Sequence, residues 1–418
     1  MKNHAPIFRT VASRIDASEG DMIELQGAMC GIPAVGPASG GTGEAAKASW
    51  LIDRLRGWGF PEPELYPAPC RDVEGGQRPN FIVRLKGTSG DYTTWVLTHL
   101  DVVPPGDETM WSGDPWTLRM EGGKLYGRGA EDNHQGIVSA VFALKALLDE
   151  GITPPHDAAL AFVSDEETGG SYGAGFLMEN HRDLFRPDDR LLIPDAGNED
   201  GTMIEVAEKS TAWLQFTVRG RQTHASTPDH GINAHKAGAH LIVLLEQLYD
   251  DFPAKDDIYD PPVSTFEPTM KKANVENINT IPGEDVFAFD CRVLACYDLE
   301  EVRSKIEEYA RQVERVFGVS VSIETPAWQP AAPPTDPEAP VVKALRDGIN
   351  EVYGVEARPM GIGGGTLASF FREAGIPAAV WSRMDDLAHQ PDEYCVIANM
   401  VGDAKVMAHL FMEVTRGD

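Results

Sequence analysis

In the first half of the chain, short apolar runs suited to buried strands alternate with longer segments suited to helices, and few folds accommodate that alternation. "TTWVLTHLD" is followed by "NHQGIVSAVFALKALLDEG", then by "AALAFVSDE" and "RLLIPDAG". A strand that is apolar on both faces needs a layer on each side of it. The pattern therefore predicts an α/β fold, a mostly parallel sheet with flanking helices. In such sheets functional groups gather beyond the carboxyl ends of the strands. His99, Asp101, Glu166, Glu167 and Asp195 all fall at such ends.

Near Glu208 the character changes. "STAWLQFTVRG" and "DVFAFDCRVLA" alternate in polarity, while "INAHKAGAHLIVLLEQLYD" and "LEEVRSKIEEYARQVERVFG" are amphipathic, which suggests a small sheet covered on one face. The proline-rich "TPAWQPAAPPTDPEAP" then interrupts the chain as a linker would. After it, "VVKALRDGINEVYG", "LASFFREAG" and "IPAAVWSR" return to the first pattern. The expected organisation is one domain formed by 1–207 and 327–418, with a smaller α+β domain inserted over 208–326.

Charge and cysteine usage exclude some functions. A formal charge of -29, from 65 acidic against 36 basic residues, would repel phosphates, so neither nucleic acid nor an anionic membrane is expected as a partner. No window reaches the roughly 18 apolar residues of a membrane span, and the first residues lack a signal-peptide core, so a cytoplasmic location is expected. The five cysteines are scattered without zinc-ligand spacing, so any metal would be held by oxygen and imidazole.

The chain offers that inventory in order: His99 and Asp101 in "HLD", Asp132 in "GRGAEDN", Glu166 and Glu167 in "DEE", Asp195 in "IPDAG", and His389 in "HQPDEY". An acidic triplet alone is an ordinary solvated turn, and a lone strand-end histidine an ordinary structural group. Together they form the ligand set of a hydrolytic zinc site, for which cobalt or manganese can substitute.

These residues carry a resemblance. "HLDVVPPGDETMWSGDPWTLRMEGGKLYGRGAED", with its Trp111 and Pro115, is similar to the long first-zinc signature of the di-zinc metallohydrolases that include acetylornithine deacetylase, succinyl-diaminopimelate desuccinylase, aminoacylase, glutamate carboxypeptidase and several dipeptidases. "DEETGG", "THASTPDHGINAH" and "HQPDEY" resemble that family's later motifs, in the same order. The resemblance implies a di-zinc catalytic domain and an inserted lid domain that pairs two chains into a homodimer. It implies that His99 and Asp195 bind one zinc, Glu167 and His389 the other, and that Asp132 bridges both. Asp101 would orient His99, and Glu166 would be the general base. Asp165 is expected to be a turn or backbone-capping residue.

The same resemblance makes His224, on the inserted domain, the donor that stabilises an oxyanion. Arg292, Asn279 and the glycine-rich Gly364, Gly365 and Thr366 would receive substrate. His134 and Arg383 lie close to ligand motifs and could line the pocket. Two departures bear on specificity: Asn133, His134 and Gln135 stand where many relatives have Met-Lys-Gly, and Leu367 follows Thr366 where many have Asp. The expected activity is hydrolysis of an N-acyl amino acid, a small-molecule substrate with a free carboxylate. A dipeptidase or carboxypeptidase acting on short peptides is the alternative among enzymes. A metal-binding regulatory protein without catalysis is the alternative of another class.

Overall fold

The computed structural model describes residues 5–413, and these divide into two compact units. The first comprises the chain up to Val206, then Pro334–Met360, and then the chain from Thr366 onward. It is built on an eight-stranded sheet in the order Glu64–Leu65, Phe81–Leu85, His156–Val163, Ser89–His99, Arg190–Asn198, Ala378–Arg383, Met203–Glu208, Arg358–Ile362. The four central strands run parallel. Phe81–Leu85 and Met203–Glu208 flank them antiparallel.

Central strands of this kind must be apolar on both faces. Trp95, Val96 and Leu97 are accordingly buried in succession, as are Ala159 through Val163. The helix Gly136–Asp149 is buried nearly all round and packs against the helix Ile397–Met412, itself almost fully buried. A helix without a polar face belongs inside a layered core. The consequence for function is positional: His99 ends its strand, Ser164 follows the end of the next, and Asp195 lies three residues before the end of the strand Arg190–Asn198.

The second unit comprises Ala207–Pro333 and Gly361–Gly365. Its four antiparallel strands lie in the order Thr265–Lys271, Glu284–Val293, Ser210–Arg219, Ser320–Gln329. Alternate residues Ala212, Leu214, Phe216 and Val218 face a core completed by Leu241 and Leu245 of one helix, and by Ile306 and Val313 of another. That second helix, Leu299–Phe317, starts where the Asp298 carboxylate accepts the Glu300 N–H at 2.9 Å, and it stops at Gly318, whose φ of 70° favours glycine.

The division differs from the expected one: the first cut falls after Val206, one residue earlier, and Gly361–Gly365, expected in the first domain, joins the second unit. The division expected at 326/327 lies after Pro333, because the strand Ser320–Gln329 continues into the start of the proline-rich segment read as a linker and still pairs Trp328 with Ala212 and Gln329 with Thr211. Pro326 is tolerated because this is the edge strand and the register slips between Trp213 and Gln215 at that point. Farther on, Pro340 opens the helix Pro340–Tyr353, where a missing N–H removes no helical bond. Among the described residues no helix is long and apolar enough to cross a membrane.

Candidate metal centre

His99 is the last residue of its strand, and the sheet fixes where its ring points. Its Nε2 lies 2.8 Å from Asp132 Oδ1 and 3.1 Å from Asp195 Oδ1. Its Nδ1 lies 3.0 Å from the backbone oxygen of Asp101 and 3.5 Å from the Asp101 carboxylate. The backbone carbonyl is thus the nearer of the two partners of the ring. The Asp101 carboxylate has a further task, accepting the N–H groups of Glu166 and Glu167, each at 3.1 Å.

Those two N–H groups open the turn after the strand His156–Val163. Asp165 enters it with a φ of 73°. Its carboxylate is buried, accepts the Tyr172 N–H at 3.0 Å and receives Arg78 Nη1 at 2.5 Å, while Arg78 is also bound to Glu44. Asp165 is therefore a turn residue and also one member of a buried ion cluster. With Asp165 tied inward, Glu167 aims at His389, whose Nε2 is 2.9 Å from Glu167 Oε2 and 3.4 Å from Asp132 Oδ2. The other Glu167 oxygen accepts the Val103 N–H at 3.2 Å.

Among the described residues two three-residue groups result, His99–Asp132–Asp195 and Asp132–Glu167–His389, and they share Asp132. Within each, one ligand atom per residue lies within 4.8 Å of the others. Atoms each about 2.0–2.2 Å from one zinc ion lie up to about 4.4 Å apart, so this donor set of imidazole and carboxylate fits such an ion with small adjustments. Glu166 belongs to neither group.

The electrostatics are those of crowded, buried acidic groups around two imidazoles. Burial, then the charges of Asp195, Asp132 and Glu167, raises Glu166 well above the ordinary carboxylate range. Burial also raises Glu167. Burial opposes charging His99, yet Asp195, Asp101 and Asp132 outweigh it and hold that imidazole well above its usual range. Hydrogen bonds to Asp132 and Glu167 push His389 up to about 10. Protons gather wherever acidic groups crowd without a cation, and a divalent ion would displace them.

The residues that depart from the common motif form the wall behind the site. Asn133 Nδ2 donates to Asp195 Oδ1 at 2.8 Å and to the Pro194 carbonyl at 2.6 Å. Gln135 Nε2 donates to the Arg383 carbonyl at 2.9 Å and to Asp403 Oδ2 at 3.0 Å. His134 is buried, its Nε2 2.6 Å from Lys47 Nζ, and burial lowers Lys47 to about 8. Arg383 donates from Nε to the Glu199 carbonyl at 2.9 Å and lies 4.8 Å over the Tyr353 ring. Nothing in the sequence marks Arg78, Glu44 and Lys47 as buried, because a single charged residue is ordinarily at the surface. Glu131 and Glu393 lie within the motifs "GRGAED" and "HQPDEY", yet their partners are distant in sequence.

The second unit gathers another set. His224 is exposed, with Nδ1 2.7 Å from the Ser226 hydroxyl and Nε2 3.5 Å from Asn279 Nδ2. Arg292 forks onto Asp290, at 2.6 and 2.9 Å, and donates to the Gly363 carbonyl at 2.8 Å. Gly364 and Gly365 belong to this unit, and Thr366 opens the return to the first, its Oγ1 accepting the Ala368 N–H at 3.2 Å.

The profile of Peptidase family M20/M25/M40 matches residues 95–413. This chain belongs to that family. An uncharacterised metallohydrolase of Methanococcus maripaludis is 38% identical over 405 residues, which cover 92% of this chain and 97% of that protein. Succinyl-diaminopimelate desuccinylase of Wolinella succinogenes is 28% identical over 310 residues, covering 73% of this chain and 80% of that protein. The crystal structure of human carnosine dipeptidase 1 superposes with a TM-score of 0.76, covering 97% of this chain and 98% of that chain; at 16% identity the likeness speaks to the fold. As an M20 protein it is a metal-dependent hydrolase that acts on amide bonds, and the family implies a divalent metal.

Proposed function

We propose that this M20 hydrolase removes the acyl group from an N-acyl amino acid, acting on a small substrate with a free carboxylate. The observation that carries the reading is the pair of ligand groups sharing Asp132, with Glu166 beside them and belonging to neither. His99 and Asp195 would hold one zinc, Glu167 and His389 a second, and Asp132 both, with cobalt or manganese as substitutes. Ions bound there supply Lewis acidity, lowering the pKa of water from about 15.7 towards roughly 7 and polarising a carbonyl.

The chain's own groups do the rest. Glu166, adjacent to Glu167 and belonging to neither ligand group, takes a proton from water and returns it to the leaving amine. Asp101 holds the turn that carries Glu166, through two backbone N–H groups. His224 donates to the oxyanion, with Asn279 beside it. The N–H groups of Gly364, Gly365 and Thr366 receive the substrate carboxylate, and Arg292, whose fork is held by Asp290 and which donates to the Gly363 carbonyl, would have to exchange Asp290 for that carboxylate to grip it. The reading includes a cytoplasmic homodimer joined through the inserted unit. The relative named as a desuccinylase supports an N-acyl substrate.

A panel of N-acetyl and N-succinyl amino acids and dipeptides, offered to zinc- or cobalt-loaded protein, tests this. The expected outcome is a higher kcat/KM on one N-acyl class than on any dipeptide. Hydrolysis of dipeptides alone would replace the deacylase with a peptidase, and turnover of neither class would overturn the proposal.

A further inference from the structure

Two buried carboxylates that are not metal ligands are exchanged between the loops carrying Asp132 and His389. Glu131, next to Asp132, reaches across to the other loop, where Oε1 accepts the Asp385 N–H at 2.8 Å and Oε2 accepts the Leu387 N–H at 2.5 Å. Glu393, beyond His389, reaches back. Its Oε1 accepts the Glu131 and Asp132 N–H groups at 2.8 and 3.1 Å, and its Oε2 accepts Gly129 N–H at 3.0 Å and Arg128 Nη1 at 2.5 Å. Both side chains are buried. Each loop thus satisfies the other's backbone donors.

The loops need such fastening. The segment after the strand Ala378–Arg383 carries Asp386, His389 and Asp392 at positive φ, so no regular helix or strand holds it. The exchange closes on acceptors alone: Glu131 faces two donors and Glu393 faces four. A glutamine of the same size would turn one acceptor into a donor aimed at another donor.

We propose that Glu131 and Glu393 are positioning residues that set the separation of Asp132 and His389, and so tune the ion held by Asp132, Glu167 and His389 ahead of the ion held by His99, Asp195 and the shared Asp132. The proposal rests on the two-ion reading above. His99 and Asp195 come from strands of the sheet and keep their places without the exchange, whereas His389 has only its loop.

Competition for Zn²⁺ against a chromophoric chelator, read as two dissociation constants on metal-stripped protein, tests it. Glu131→Gln should raise one constant about 10- to 100-fold, the range found when a partner of a metal ligand is removed, and the other by clearly less, through the shared Asp132 alone. In a His389→Ala background the same change should add nothing further, because it acts through that residue. Glu393→Gln is the second variant should Glu131→Gln fold poorly, and the same constant should rise. If only the melting temperature of the metal-free protein falls and both Zn²⁺ constants stay unchanged, the carboxylates are merely structural and the proposal is overturned. Equal weakening of both constants by Glu131→Gln also overturns it. A wild type that binds fewer than two Zn²⁺ overturns the two-ion reading instead, which separates the two failures.

Discussion

The two halves of the candidate site use the same donor types in different ways. His99 ends a buried strand and its side chain is 1% exposed, whereas His389 sits in a loop at a φ of 66° and its side chain is 56% exposed. A ligand at a strand end takes its position from the hydrogen bonds of the sheet. A ligand on a loop takes it from local contacts, here Glu167, Asp132 and the exchanged carboxylates behind them. Precision in the second half therefore depends on side chains far apart in sequence.

The largest expected effect breaks the site without touching either half. Glu166→Gln removes a proton carrier and no ligand, so kcat should fall by about 10²- to 10⁴-fold. Metal analysis of the same protein should find the wild-type content; loss of an ion would make Glu166 a ligand and end the division of roles proposed for the acidic turn.

The next asks whether the halves are joined where the geometry joins them. Asp132→Asn should weaken both Zn²⁺ constants by at least about 10-fold, because removing a ligand does no less than removing a ligand's partner. Asp195→Asn and Glu167→Gln should each weaken one constant. A single weakened constant in Asp132→Asn would separate the halves and remove the bridge.

The smallest effect sharpens the contrast in exposure. His99 and His389 are both raised in the metal-free protein, and so are Glu166 and Glu167. A group whose folded pKa is raised contributes stability that is complete below its unfolded pKa and is lost as pH rises through the folded value. The histidine share of that stability should therefore be lost between the unperturbed histidine value, about 6.5, and the value of about 10 that His389 reaches, while the share of Glu166 and Glu167 begins to be lost above the unperturbed glutamate value of about 4.3. Bound Zn²⁺, by displacing those protons, should flatten the slope. Melting curves across that range check this. His389→Gln should change the slope less than His99→Gln, since solvent screens the exposed ring more strongly. A slope that does not respond to Zn²⁺ would mean that other groups set it.

Much of this was legible early. The apolar runs ending in His99, in Ser164 before the acidic turn, and near Asp195 announced a parallel sheet and its functional edge, because strand period and burial are written in residue type. The extent of the inserted unit was not legible, because Pro326 looks like a linker until the edge strand and its register slip make room for it. The ion cluster of Arg78, Glu44 and Asp165 was equally hidden. Arg78 and Asp165 are 87 positions apart, and nothing local distinguishes a buried arginine from an exposed one.

What the sequence determined by itself is therefore the chemistry on offer and its order along the chain: imidazole, then carboxylates, then imidazole, placed at strand ends by hydrophobic pattern. Only the tertiary structure decided which of three adjacent carboxylates faces what. Asp165 turns inward to Arg78, Glu167 turns to His389, and Glu166 belongs to neither ligand group. The reason is physical. Neighbouring side chains share one sequence environment, and a turn fans them towards partners brought near only by folding, where burial makes each pairing strong enough to choose a direction.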